Sequence, residues 1–196
     1  MKIALYCLLI AALACGAAVS FAQEPEPDEM AAMQEAWMKA MTPGVHHKHL
    51  QATAGDWEYK SKMWMDPAAP PTESEGTCKR EMILGGRYLR EEYSGVFMNM
   101  PYKGIGITGY DNLAEEYRSV WIDNMGTAVM TGSGQCSDDG ATLTLEMEYI
   151  DAMTMEPATM RAVMKLLAPD KMVAEYYGAG PDGEEFKAME FVFTRK

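Results

Sequence analysis

The chain has 196 residues, a formal net charge of −12 and 48% hydrophobic residues. That length suits one domain with a real core, and the acidity argues against nucleic acid and anionic membrane surfaces as partners, because both would be repelled. The acidic residues are scattered rather than blocked, the pattern of a solvated surface.

In chain order, Met1 to Ala22 read as a cleavable signal peptide, with Lys2 as the positive start, Ile3 to Ala14 as the apolar run and Ser20-Phe21-Ala22 as a small-x-small cleavage site. Ala12-Leu13-Ala14-Cys15 has a weak lipobox character, but Ala12 stands where leucine is usual, so plain cleavage is favoured over a lipid anchor at Cys15. No later stretch approaches the roughly 18 apolar residues of a membrane-spanning helix, so no transmembrane span is expected and the product is placed in the periplasm or outside the cell. Cleavage takes one lysine and no acid, which moves the net charge from −12 to −13, and it leaves Cys78 and Cys136 of the four cysteines. Two cysteines in an oxidising compartment invite a disulfide, the alternative being two separate buried thiols.

Residues 23–53 form a linker and a helical segment ahead of a domain over 54–196. Met30, Met33, Trp37, Met38 and Met41 recur at helical spacing from Asp28 to Met41, and Thr42-Pro43-Gly44 ends that helix. A second short helix is expected over Val45 to Thr53.

From Gly55 the period becomes two. Trp57, Tyr59, Ser61, Met63 and Met65 alternate with Glu58, Lys60, Lys62 and Trp64. Nine further strand-like runs follow: Glu75 to Leu84, Tyr88 to Phe97, Gly104 to Tyr110, Tyr117 to Asp123, Ala128 to Cys136, Thr142 to Ile150, Thr159 to Leu167, Met172 to Tyr177 and Glu185 to Arg195. Turn residues separate them, among them Gly85-Gly86, Asp111-Asn112, Asp138-Asp139-Gly140 and Pro181-Asp182-Gly183. About ten strands in one open sheet would leave long bare edges, so the expectation is an all-β, antiparallel up-and-down barrel. In the last strand Met189, Phe191, Phe193 and Arg195 share one face, with Lys187 in phase with them. Gly55-Asp56-Trp57 together with Arg195 resembles the lipocalin or calycin pairing in which an arginine packs over the tryptophan of a Gly-x-Trp, a contact with the physical basis of guanidinium stacking on indole.

A set of longer strings carries a second resemblance: Thr42-Pro43-Gly44 with His47 and His49, Trp64-Met65-Asp66-Pro67, Gly85-Gly86-Arg87-Tyr88-Leu89, Gly106 to Asn112, Trp121 to Thr127, Pro181 to Glu184 and Met189 to Arg195. They resemble the bacterial secreted proteins grouped as domain of unknown function 1579, over about Thr42 to Lys196. The resemblance brings no established activity with it. Cys78, Cys136 and the string Ala-Met-Thr-Met at 152–155 depart from that pattern, so it lends the disulfide no support.

A barrel of this size can enclose a cavity, which makes a small apolar or amphipathic ligand the first functional expectation. The nineteen methionines, eighteen after loss of Met1, would suit an adaptable apolar lining, or would simply fill the core. Tyr59, Arg90, Tyr110, Trp121, Asp123, Arg161, Tyr176 and Glu190 are polar or aromatic strand residues open to facing inward. Arg87 or Arg90 with Arg161 and Tyr110 would hold a carboxylate head group, the alternative being surface ion pairs. A solidly filled barrel acting as a structural or interaction protein is the main rival. His46, His47 and His49 with the methionines of the helix make a weak candidate for periplasmic copper, against the packing of the entry segment onto the barrel. No cofactor is expected, since no histidine follows position 49 to serve as a haem ligand in a strand. No nucleophile–base motif stands out, so an enzyme is the less favoured class.

Overall fold

The computed structural model describes residues 26–152, 154–180 and 182–196. The expected signal peptide, Cys15 and the proline of the Pro181-Asp182-Gly183 turn lie outside the described residues. Two helices, α1 (Pro27–Met41) and α2 (Val45–Ala52), precede ten strands: β1 (Gly55–Met63), β2 (Thr72–Ile83), β3 (Tyr88–Phe97), β4 (Met100–Asp111), β5 (Glu116–Asp123), β6 (Met130–Cys136), β7 (Thr142–Ile150), β8 (Pro157–Ala168), β9 (Lys171–Ala179) and β10 (Glu185–Arg195). Each strand pairs antiparallel with its neighbours in sequence, and β1 pairs with β10, so the sheet closes into a barrel. Closure satisfies both edges that an open meander would leave bare. No helix among the described residues is long and apolar enough to cross a membrane.

Alternation decides what faces inward. Trp57 and Tyr59 of β1, Cys78 and Arg80 of β2, Leu89, Glu91 and Tyr93 of β3, Tyr117 and Ser119 of β5, and Leu143, Leu145 and Met147 of β7 are buried, while the residues between them face solvent. The last strand departs from strict parity. Its pairing with β9 slips between Lys187 and Met189, where Ala188 is the extra residue. The bulge turns Lys187 outward, onto Glu175 at 3.3 Å and onto Glu190, so the shared face expected for Lys187 and Met189 does not form.

α2 closes one end of the barrel. Its Leu50 and His47 are buried against the strands, and the backbone N–H of Gly44 donates to Nδ1 of His47 at 3.0 Å, tying down the start of the helix. The far end of α2 is held by Arg195. Its guanidinium donates to the carbonyls of Ala52 (3.1 Å), Ala54 and Pro169 (2.6 Å) and lies 4.3 Å above the ring of Trp57. Trp57 in turn donates from Nε1 to the carbonyl of Thr53 at 3.0 Å. One cation thus satisfies carbonyls that a helix C-terminus leaves unpaired and fastens the helix to the first and last strands. A side chain at Gly55, which has φ +142°, would collide with that guanidinium.

α1 differs from its expected packing role. Met30, Met33, Trp37, Met38 and Met41 are all exposed, and the helix is anchored through polar contacts. Lys39 pairs with Glu115 at 3.0 Å, Asn112 donates to the carbonyls of Lys39 and Thr42 at 2.8 Å, and Arg87 donates to that of Met41 at 2.6 Å.

Protonation of the helical cap gives a testable pH dependence. Burial, then the neighbouring His46 and Arg87, lower the pKa of His47 below its ordinary 6.5, against a backbone hydrogen bond at Tyr110 that raises it. Burial and His49 lower that of His46, which also stacks on Tyr110 and borders Tyr117. A depressed histidine pKa contributes stability above the unfolded value and loses it as pH falls through the folded one. The thermal midpoint should therefore drop between pH 7 and pH 5, and a His46→Asn/His47→Gln variant should show a flatter profile by circular dichroism. Parallel profiles for the two proteins would refute this assignment.

Candidate functional site

The lumen beyond α2 is not filled solid. A cavity of about 410 Å³ runs from the middle of the barrel to the opposite rim, where Val96, Met98, Asn99 and Met125 line it. Its walls are aromatic rings (Tyr59, Tyr93, Tyr102, Trp121, Tyr176, Phe191) and thioethers (Met130, Met147, Met160, Met164, Met189).

Glycines keep this space open. Gly104 and Gly106 of β4 lie beside β5 opposite Asp123 and Trp121. A Cβ at Gly104 would overlap the indole of Trp121, and one at Gly106 would come within 3.2 Å of it. Gly76 and Gly95 accommodate Tyr59 in the same way, their Cβ positions 2.5 Å from its hydroxyl. The rings can therefore lie flat against the wall instead of crossing the lumen. The period-two glycines Gly104 and Gly106 of β4 are the sequence signal for this, whereas Gly76 and Gly95 become a pair only through the β2–β3 register.

The polar groups of the lumen are few and mostly paired. Arg80 and Glu91 stand directly opposite each other on β2 and β3, 4% and 6% exposed, with Nη1 2.8 Å from Oε1. The approach is an ion pair without hydrogen-bond alignment, because Nε and Nη1 of Arg80 find no hydrogen-bond partner. Burial works against the charge of Arg80, but Glu91 and its other neighbours outweigh it and leave the pKa raised. Arg80 also borders a second void of about 30 Å³ near His49, Tyr117 and Cys136, of a size for an ordered water. Thr108 and Ser119 share a hydrogen bond at 3.0 Å, as do Ser61 and Ser74 at 2.8 Å. Burial raises the pKa of Tyr59, Tyr93, Tyr102 and Tyr176, so their hydroxyls stay neutral. Burial, and then Glu91, push the Cys78 thiol up to about 12, which makes it a packing group rather than a nucleophile.

The expected site residues separate into two groups. Trp121 and Asp123 line the cavity, with Asp123 accepting from Trp121 Nε1 at 3.0 Å and from the Met125 amide at 2.9 Å. Tyr110 faces inward at the α2 end, its ring 3.9 Å from that of His46. The three arginines are elsewhere. Arg90 is on the outer face with Glu81 and Glu92, both at 3.3 Å; Arg161 is outside with Glu185 at 2.6 Å and Tyr177; and Arg87 is in the turn after β2, donating to Leu84 and Met41. Arg90 and Arg161 each sit between two inward residues, so parity forces them out, and the carboxylate clamp expected of Arg87 or Arg90 with Arg161 and Tyr110 is not assembled. Glu190 likewise faces outward, toward Lys187. The interior arginine is Arg80, whose acid partner Glu91 becomes apparent only once the β2–β3 register is known.

Cys78 and Cys136 are free thiols. They lie on β2 and β6, which three strands separate around the barrel, so no bridge joins them. The three histidines do not converge: His46 and His49 turn Nδ1 toward the Tyr117 hydroxyl at 3.2 and 3.4 Å, while His47 accepts from Gly44. No group of three or more potential His, Cys, Asp or Glu metal ligands forms among the described residues.

These features define a closed, ten-stranded antiparallel β-barrel with an aromatic and methionine-lined interior. Residues 42–195 match the family described as "Protein of unknown function (DUF1579)", and the chain belongs to that family. No curated protein matches it in sequence. Among solved structures it is similar to Rv2717c from M. tuberculosis, at 12% identity and a TM-score of 0.59, over 79% of this chain and 99% of that one. A redesigned β-barrel (12% identity, TM-score 0.41, 76% and 95% covered) and a de novo designed fluorescence-activating β-barrel (16%, 0.42, 75% and 96%) are more distant. At these identities the likeness concerns the fold alone.

Proposed function

We propose that this chain is an exported protein that holds a small apolar or amphipathic molecule inside its barrel. The observation that carries the reading is the cavity of about 410 Å³ walled by rings and thioethers, within the roughly 300–1,000 Å³ range of small-molecule sites. Aromatic faces supply area, and methionines adapt to irregular ligand shapes. Export is supported by the tripartite character of Met1 to Ala22, which places the ligand in the periplasm or outside the cell.

The test is uptake of a neutral apolar dye, N-phenyl-1-naphthylamine, followed by its fluorescence. The wild-type protein should bind one equivalent. Gly106→Leu should weaken binding about tenfold or more, because its side chain would enter the lumen between Trp121 and Glu91. No uptake by the wild type, or equal uptake by a folded Gly106→Leu variant, would refute lumenal binding.

A further inference from the structure

Resting on the lumenal reading above, the charge balance inside the barrel narrows the class of ligand. Two charged side chains turn into the cavity, Glu91 and Asp123, while Lys62 and Glu73 belong to its rim and, alternating with inward Ser61 and Ser74, point to the outer face. Lys62 and Glu73 face each other at 3.6 Å, and Glu91 is neutralised from behind by Arg80 at 2.8 Å. Asp123 has no cationic partner among the described residues.

Its carboxylate is nevertheless fixed. One oxygen accepts from the Trp121 indole at 3.0 Å and the other from the Met125 amide at 2.9 Å. Two such bonds leave further lone pairs on a carboxylate that can take about four, so the group can accept from a ligand without moving. Beside it, Tyr102 and Trp121 converge: the position a Cβ would take at Gly104 is 3.1 Å from the Tyr102 hydroxyl and in contact with the indole. An anchored carboxylate next to two electron-rich rings is the arrangement that receives an organic cation, through ion pairing and cation–π attraction together. The methionines deeper in the barrel would take an attached apolar chain.

We infer that the lumen selects amphipathic cations, with an ammonium-type head group at Asp123 between Tyr102 and Trp121, over carboxylates of the same chain length. The arginines expected to clamp a carboxylate are on the outer surface, and the one interior arginine already faces Glu91. A fatty-acid type of ligand would therefore bring a second negative charge toward an unpaired one.

Three probes sharing a twelve-carbon chain test this by calorimetric titration at low salt, below micelle-forming concentrations: dodecyltrimethylammonium, dodecanol and dodecanoate. The cation should bind about tenfold tighter than the alcohol, and the carboxylate more weakly than either. Asp123→Asn should bring the cation down to the alcohol's affinity while leaving the alcohol unchanged. If the alcohol binds and the cation gains nothing over it, or if Asp123→Asn keeps the full preference, the charge assignment falls and lumenal binding stands. If none of the three binds, both readings fall. The wild-type comparison alone decides the matter if Asp123→Asn does not fold.

Discussion

Glu91→Gln is expected to destabilise the folded chain by about 3–5 kcal/mol, the penalty for leaving one member of a buried ion pair without its partner. The side chains of Arg80 and Glu91 are 2% and 8% exposed, so bulk solvent does not reach the guanidinium that the lost carboxylate would leave uncompensated. Arg80 already carries Nε and Nη1 without hydrogen-bond partners, which leaves the Glu91 charge as its main compensation. In urea the midpoint should fall with the slope unchanged. Replacing both residues, as Arg80→Met with Glu91→Leu, should restore most of the loss, because it removes both desolvated charges together. A cost below about 1 kcal/mol for the single change would show that the pair is solvated and would reassign it to the surface class.

Trp57→Ala should cost a similar amount, about 3–5 kcal/mol. The indole is 0% exposed and packs edge-on against Phe193, with ring centroids 6.4 Å apart. Its removal also takes away the surface on which Arg195 rests and the donor to Thr53, so the cavity opens where α2 is fastened. Arg195→Gln should cost less, because it spares the buried ring while losing carbonyl contacts at the barrel end. Denaturant unfolding of both variants checks the order, and equal losses would show that the guanidinium matters as much as the ring it covers.

Much of the fold can be read in the chain because its signals are local. Tyr88–Phe97, Thr142–Ile150 and Glu185–Arg195 are strands whose limits coincide with alternation and flanking turn residues. The helical spacing of α1 is equally local, but it does not say whether anything packs on the stripe, and here its methionines are exposed. The site was legible only in part. Trp121 and Asp123 share the cavity face, as their spacing of two requires. Arg90 and Arg161 could not be placed without register, since a shift of one residue exchanges inside for outside. Arg80 and Glu91 meet through a cross-strand pairing, and Lys187 is displaced by a bulge that leaves no clear mark in the sequence. The choice between a disulfide and two separate thiols stayed open for the same kind of reason: an even number says nothing of the three strands between Cys78 and Cys136, and the thiols are free.

Seaming β1 to β10 also sets the order in which the protein can mature. The ring cannot be sealed before its last strand is delivered, because Arg195 reaches back 141 residues to the carbonyl of Ala54. A chain emerging from the ribosome would hold at most an open nine-stranded ribbon with β1 and β9 unpaired at its margins. Such a chain keeps two bare strand edges until its final residues arrive, when a single pairing completes the ring.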